Sequence, residues 1–218
     1  MTQISESLRE VGFAFLPRLR AGVSSHDVAR DLGLVSQGAI GQVHALRPSE
    51  TKVNAPNTYS GRYGHGEFPF HTDFAHYPSP PAFLMLRCIR GYSQVTTRLI
   101  DGFQIVGKIG SSLLSRALVQ ARRPFRGALP LMTIWEPHVG SGQLRWDEEY
   151  LKPASSAGEE AMTQVADEIA RSERNSVALS EPGDTLVIDN RRVLHARAAV
   201  PPDCRDRVIE RVYLEDIF

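Results

Sequence analysis

A chain of 218 residues with 42% hydrophobic and 23% charged side chains has the composition of a folded globular protein, which sets aside disordered, collagen-like and membrane-spanning classes. Its 25 Lys and Arg balance its 25 Asp and Glu, so no net charge draws it toward nucleic acid or another polyanion. The length suits one domain over residues 1–218 with a sizeable core, and neither a 20–50-residue repeat nor a bilayer-length apolar run interrupts it.

The opening MTQISESLRE is charged and polar, unlike a secretory leader, and the two cysteines, Cys88 and Cys204, lie far apart, so a reduced cytoplasm is the expected setting. Ile4, Leu8 and Val11 space a short helix, followed by a strand in VGFAFL that Pro17 stops. SSHDVARDLGLV reads as a helix with Ser24 or Ser25 as N-cap and Gly33 as terminator. Residues 52–70 carry repeated Gly and Pro breaks and read as a loop delivering the chain to a strand at His71. AFLMLRCI and SQVTTRLID are strands by length, apolarity and β-branching. FQIVGKIGSSLLSRALVQA and SAGEEAMTQVADEIARSE have helical spacing, the second with Ser156 as N-cap, and between them LMTIWEPHVGSGQLRWDEEY reads as two strands joined at Gly-Ser-Gly. The last third is a series of short strands with turns at EPGD, DNRR and PPDC. The sum is mainly β with peripheral helices, a small sandwich of jelly-roll type; irregular strand–helix alternation and the lack of a Gly-x-Gly-x-x-Gly loop count against a doubly wound sheet.

In FPFHTDFAHYPSPP, His71 and Asp73 stand two positions apart, and on a strand both side chains leave one face and converge. The pair alone is a weak signal. His195, after the apolar run TLVID and a turn, completes two histidines and one carboxylate, the facial donor set that suits non-haem Fe(II) and leaves positions open for a chelating cosubstrate and dioxygen. A 2-oxo acid with a distal carboxylate also needs a planar cation, and Arg207, twelve residues beyond His195, supplies one. With Pro201 and Pro202 turning the chain, a strand over 205–213 is expected to run back beside the His195 strand and carry Arg207 and Arg211 inward.

These segments, HTD, PGDTLVIDNRRVLHAR and DRVIER in that order and spacing, resemble the Fe(II)/2-oxoglutarate-dependent oxygenases of the taurine dioxygenase and clavaminate synthase-like superfamily, over roughly residues 55–215. The resemblance implies a double-stranded β-helix with His71, Asp73 and His195 as iron ligands, Arg207 on the distal carboxylate of 2-oxoglutarate and Arg211 beside the substrate. It also implies a role for Thr97 in holding 2-oxoglutarate, although the Gly-Gly-Asp that precedes the family's threonine is absent here. The implied reaction consumes O2 and 2-oxoglutarate, releases succinate and CO2, and hydroxylates or desaturates a small molecule. Relatives that halogenate have Gly or Ala where Asp73 stands, so chloride incorporation is not expected. Many relatives are longer and carry lids, so the pocket is expected to be more open or completed by a second subunit in a homo-oligomer.

Arg197, Arg211 and Arg145 would suit an anionic or amino-acid substrate, and Tyr59 and Arg62 are rim candidates because loops on a rigid scaffold carry binding groups. His65, His76 and His138 could support the site or meet substrate but are expected as surface or satisfied polar residues, Asp184 and Asp189 in turns, and Trp146 in the core. The rival readings are a metal-binding jelly roll without oxygenase activity and a cupin-like isomerase or hydrolase using another metal; succinate formation separates both from an oxygenase.

Overall fold

In the computed structural model, which describes residues 3–53, 55–124, 127–138 and 141–218, the chain opens with α1 (Gln3–Val11), β1 (Phe13–Leu16), α2 (Ser25–Leu32), β2 (Gly33–Val35), β3 (His44–Leu46) and α3 (Tyr59–Tyr63). Ser24 caps α2 by accepting from the Asp27 N–H at 3.1 Å. Gly33 ends that helix in extended backbone, and glycine is required there by a close approach: a Cβ would lie 2.0 Å from the Asp216 carbonyl oxygen. The segment 52–70 is not all loop. Thr58 accepts from the Gly61 N–H at 3.0 Å and starts α3, a single short helix that the flanking glycines conceal in the sequence.

The middle of the chain forms β4 (Phe83–Arg90), β5 (Thr96–Asp101), α4 (Gly102–Ile109), α5 (Ser111–Arg116), β6 (Leu118–Ala121), β7 (Leu131–Thr133), β8 (Trp135–His138), β9 (Ser141–Leu144), β10 (Leu151–Pro153) and α6 (Ser156–Arg171). The helix expected over 103–121 breaks at Gly110, which takes φ 101°, and Leu118–Ala121 leaves it to pair with β7 and β10. Val119 and Ala121, two apart, are both buried, so the local apolar spacing serves a strand as well as a helix. The two strands expected after residue 130 are three, and residues 139 and 140, the second of which opens the expected Gly-Ser-Gly turn, lie outside the described residues. α6 is capped by Ser155, one residue before the expected cap, through a 3.0 Å bond from the Gly158 N–H.

The last third supplies β11 (Asn175–Ala178), β12 (Thr185–Asp189), β13 (Val193–Arg197) and β14 (Val208–Ile217). The larger sheet has the order β1-β12-β4-β14-β2, with β3 also on β14; it faces a sheet of order β11-β5-β13, and every pairing is antiparallel. Alternation along each strand sorts side chains between three layers. Leu84, Leu86 and Cys88 of β4 meet Leu99 of β5 and Val193 of β13 between the sheets. Met85, Val187, Val212 and Leu214 point out to α1 and α2, while Ile100, Leu194 and Ala196 point out to α4, α5 and α6. Among the described residues no helix is long and apolar enough to cross a membrane.

This layering corrects one expectation. β14 does not run beside β13; it crosses to the larger sheet and pairs with β4 on one side and β2 and β3 on the other. Ile209 and Tyr213 pack on one of its faces and Val212 and Leu214 on the other, which demands a strand covered from both sides. The inward positions of β5, β13 and β14 therefore face one another across the sandwich, and they carry the polar residues of the site.

Candidate active site

His71, Asp73 and His195 are each 7% exposed, and one donor atom from each lies within 4.8 Å of the other two. His71 Nε2 is 3.4 Å and His195 Nε2 3.7 Å from Asp73 Oδ1. His71 occupies a single antiparallel bridge with His195, not a regular strand, each N–H meeting the other's carbonyl at 3.0 and 2.9 Å. The chain then turns, with Phe74 at φ 57°, and Asp73 is fixed by Asn190, which accepts the Asp73 N–H at 2.7 Å and donates to the Asp73 carbonyl at 2.9 Å. His71 Nδ1 lies 2.9 Å from the Pro69 carbonyl, which as a donor it satisfies while leaving Nε2 free to ligate.

Electrostatics fit the same use. Burial alone would raise the Asp73 carboxyl, but Arg211 and hydrogen bonds to both imidazoles hold it well below the usual range. Burial and the neighbouring His71 lower His195, favouring the neutral ring a metal needs. Burial pulls His71 down as well, yet its hydrogen bond to Asp73 leaves it raised. Two imidazole nitrogens and one ionised oxygen, with backbone joining their carriers, are a donor set fit for Fe(II).

A cavity of about 560 Å³ opens onto the triad, and Thr97, Arg197, Arg207, Arg211 and Tyr59 all line it. Arg207 is 5% exposed with its Nε unpartnered, and burial lowers its pKa to about 10. Thr97 and Arg197 are cross-strand partners on β5 and β13. Arg197 donates to the Gly64 and Gly66 carbonyls at 2.7 and 2.6 Å and lies 3.6 Å over the Phe68 ring. Arg211 donates to Asp73 Oδ2 at 3.2 Å. Tyr59 stacks on His71, ring centroids 4.4 Å apart.

Two sequence candidates lie elsewhere. Arg145 is 3% exposed and spends its guanidinium on the Ala75, Tyr77 and Pro78 carbonyls at 2.9, 2.5 and 3.3 Å, which clamps the loop after Asp73 and takes Arg145 out of the cavity lining. Arg62 pairs with Glu149 away from the lining. Asp184 accepts the Ser180, Glu181 and Arg18 N–H groups, Asp189 accepts that of Arg191, and Trp146 is core.

Sequence reasoning missed Tyr213, Asn190, Arg47 and Asp147. Tyr213 donates to Asp73 Oδ2 at 2.6 Å, and burial keeps its phenol protonated by raising its pKa well above normal. Arg47 lines the mouth. Burial raises Asp147 to about 6, and its Oδ1 accepts the Glu149 and Tyr150 N–H groups. The alternation of β14 could have flagged Tyr213 as sharing the face of Arg211; the others follow only from contacts distant in sequence.

No family model matches the chain. Over 204 residues it is 23% identical to L-lysine 3-hydroxylase of Catenulispora acidiphila, covering 83% of this chain and 54% of that protein. Over 168 residues it is 30% identical to clavaminate synthase 2 of Streptomyces clavuligerus, covering 66% and 49%. The chain thus spans about half the length of the curated relatives it matches. The solved structure of asparagine oxygenase with Fe(II), 2S,3S-3-hydroxyasparagine and succinate is similar over 97% of this chain and 77% of that one, with a TM-score of 0.70 at 18% identity, which identifies the facing sheets as the expected jelly roll. The chain is thus similar in sequence to a lysine 3-hydroxylase and a clavaminate synthase and shares the fold of asparagine oxygenase, the same likeness its HTD, PGDTLVIDNRRVLHAR and DRVIER segments led one to expect.

Proposed function

We propose that residues 1–218 act as one cytoplasmic dioxygenase domain that couples oxidative decarboxylation of 2-oxoglutarate, giving succinate and CO2, to hydroxylation or desaturation of a small anionic or amino-acid-like substrate. The observation that carries the reading is the meeting, in one cavity, of the His71, Asp73 and His195 donors with the buried guanidinium of Arg207, whose Nε has no partner. A buried cation with an unpaired donor is costly, and a carboxylate entering beside it relieves that cost and can be gripped by two parallel N–H bonds.

When bound, Fe(II) with its cosubstrate and dioxygen supplies the oxidising chemistry; the chain supplies positions. His71 and His195 offer Nε2 and Asp73 offers Oδ1, while Arg211 keeps that carboxylate ionised. Arg207 and Thr97 face the space a distal carboxylate would fill. Tyr59, Phe68 and Tyr150 wall the cavity with apolar surface and limit water.

The substrate class follows from the charge of the wall. Asp73 is the only acid in the described lining and already serves the triad, whereas Arg47, Arg197, Arg207 and Arg211 are all cationic. Such a cavity favours a substrate that carries an anion. Relatives named for lysine and asparagine point to amino acids as the chemical neighbourhood. The reading has a small molecule as partner, with neither nucleic acid nor membrane, and a homo-oligomer is tested by sedimentation.

The experiment is an anaerobic titration of the metal-free protein with Fe(II) and 2-oxoglutarate, watching for a visible charge-transfer band. A panel of acidic, neutral and basic amino acids is then screened for stimulated succinate release. A band, with succinate release stimulated by acidic or neutral members, is expected. Iron binding without a band returns the site to the rival metal-binding readings.

A further inference from the structure

We propose that Tyr213 is a positioning residue for the metal: its phenol fixes Asp73 so that Oδ1 alone is offered to a divalent ion, keeping three positions open opposite the triad. The two carboxylate oxygens have different surroundings. Oδ1 faces both imidazoles, 3.4 Å from His71 Nε2 and 3.7 Å from His195 Nε2. Oδ2 is taken by two donors on β14, the Tyr213 hydroxyl at 2.6 Å and Arg211 at 3.2 Å.

The donor is rigidly held. Tyr213 is 1% exposed, sits opposite Leu84 in the β14–β4 register, and meets the Phe74 ring edge-on at 5.1 Å. The Arg211 guanidinium lies 4.9 Å from the centroid of its ring. A core strand position needs only an apolar ring, so the hydroxyl must find a buried acceptor, and the acceptor it has is a metal ligand. Outer hydrogen bonds of this kind set the orientation of first ligands. Without the hydroxyl, Oδ2 keeps only the longer bond from Arg211 and is free to turn toward the ion, where a second bound oxygen takes one of the open positions. The inference goes beyond the oxygenase reading, because it holds for any divalent ion at the triad.

The test uses Mn(II) alone as probe, bound at saturation to wild type, Tyr213→Phe and Ile188→Val. The readout is the water-proton relaxation rate, which counts exchangeable water on the ion. Ile188 lies in the same core cluster as Tyr213, so its variant loosens that packing without touching Asp73. Loss of one of three open positions should lower the relaxation enhancement of Tyr213→Phe by about a third, with Ile188→Val equal to wild type. Tyr213→Met is a second hydroxyl-free chain that should show the same fall if the Phe variant does not fold. Equal relaxation in wild type and both Tyr213 variants, or an equal fall in Ile188→Val, overturns the inference. Since no cosubstrate is present, failure of the oxygenase assay does not bear on this result.

Discussion

Replacing Arg207 with Met should make the metal-free protein more stable and its cosubstrate binding weaker. Burial takes the guanidinium, 5% exposed and with Nε unpartnered, well down from its ordinary value to about 10. At ~1.4 kcal/mol per pH unit, that drop means folding disfavours the charge by about 3 kcal/mol. The folded value lies below the unfolded one for a base, so the penalty is present at every pH below about 10 and vanishes only above the unfolded value. Met keeps an unbranched apolar stem, and after some lost packing a gain of about 1–3 kcal/mol is expected. At roughly 2–4 °C per kcal/mol, that gain should raise Tm by several degrees. For 2-oxoglutarate, a buried carboxylate losing its partner should cost about 3–5 kcal/mol, or roughly 10²- to 10⁴-fold in Kd. Urea melts of metal-free chains at pH 7 and 9 give the first quantity, and calorimetric titration of 2-oxoglutarate into Mn(II)-loaded protein gives the second. A variant that melts earlier while binding 2-oxoglutarate as wild type does would refute both halves of the argument.

His195→Ala should lower Fe(II) affinity by at least ~10²-fold in competition with a chromogenic chelator, yet fold, because the bridge between residues 71 and 195 is made by backbone. Arg145→Met strips donors from the Ala75, Tyr77 and Pro78 carbonyls and should destabilise by about 2–4 kcal/mol in urea while leaving the substrate KM of the folded enzyme unchanged. A raised KM with an unchanged melt would restore Arg145 as an anchor. Asp147 is an acid whose folded pKa of about 6 exceeds its ordinary 3.8, so its own contribution to the stability of the metal-free wild type should fall as pH rises from 3.8 to 6. Asn keeps the acceptor for Glu149 and Tyr150 without titrating. The advantage of Asp147→Asn should therefore grow from near zero at low pH to about 2–3 kcal/mol at pH 7, and a pH-independent difference in urea midpoints would rule this out.

The sequence was most readable where chemistry is local. His71 and Asp73 announce themselves by proximity, His195 by its place after TLVID, and Arg207 by spacing, because each signal sits within a dozen residues. Strands with alternating faces, such as FLMLRCIR, read correctly for the same reason. What stayed hidden was partner choice. Nothing near Arg145 tells that its donors meet carbonyls some 70 residues earlier. Nothing in DRVIERVYLED says that its strand joins the larger sheet, and that choice turns Tyr213 from a core aromatic into a neighbour of Asp73. The split of the 103–121 helix failed for another reason: one apolar spacing suits two structures, and tertiary pairing decided between them.

The tie between Asp73 and Asn190 also dictates an order of events during synthesis. It closes a span of 117 residues, and the neighbouring bridge from His71 to His195 closes one slightly longer. Loops of that size close late, after the nearer strands have collapsed. On the ribosome His71 and Asp73 emerge long before His195, as two-thirds of a binding site that holds a divalent ion weakly. The full set exists only once the sandwich has closed. On the proposed reading, a divalent ion would therefore be taken up by a finished scaffold rather than template it.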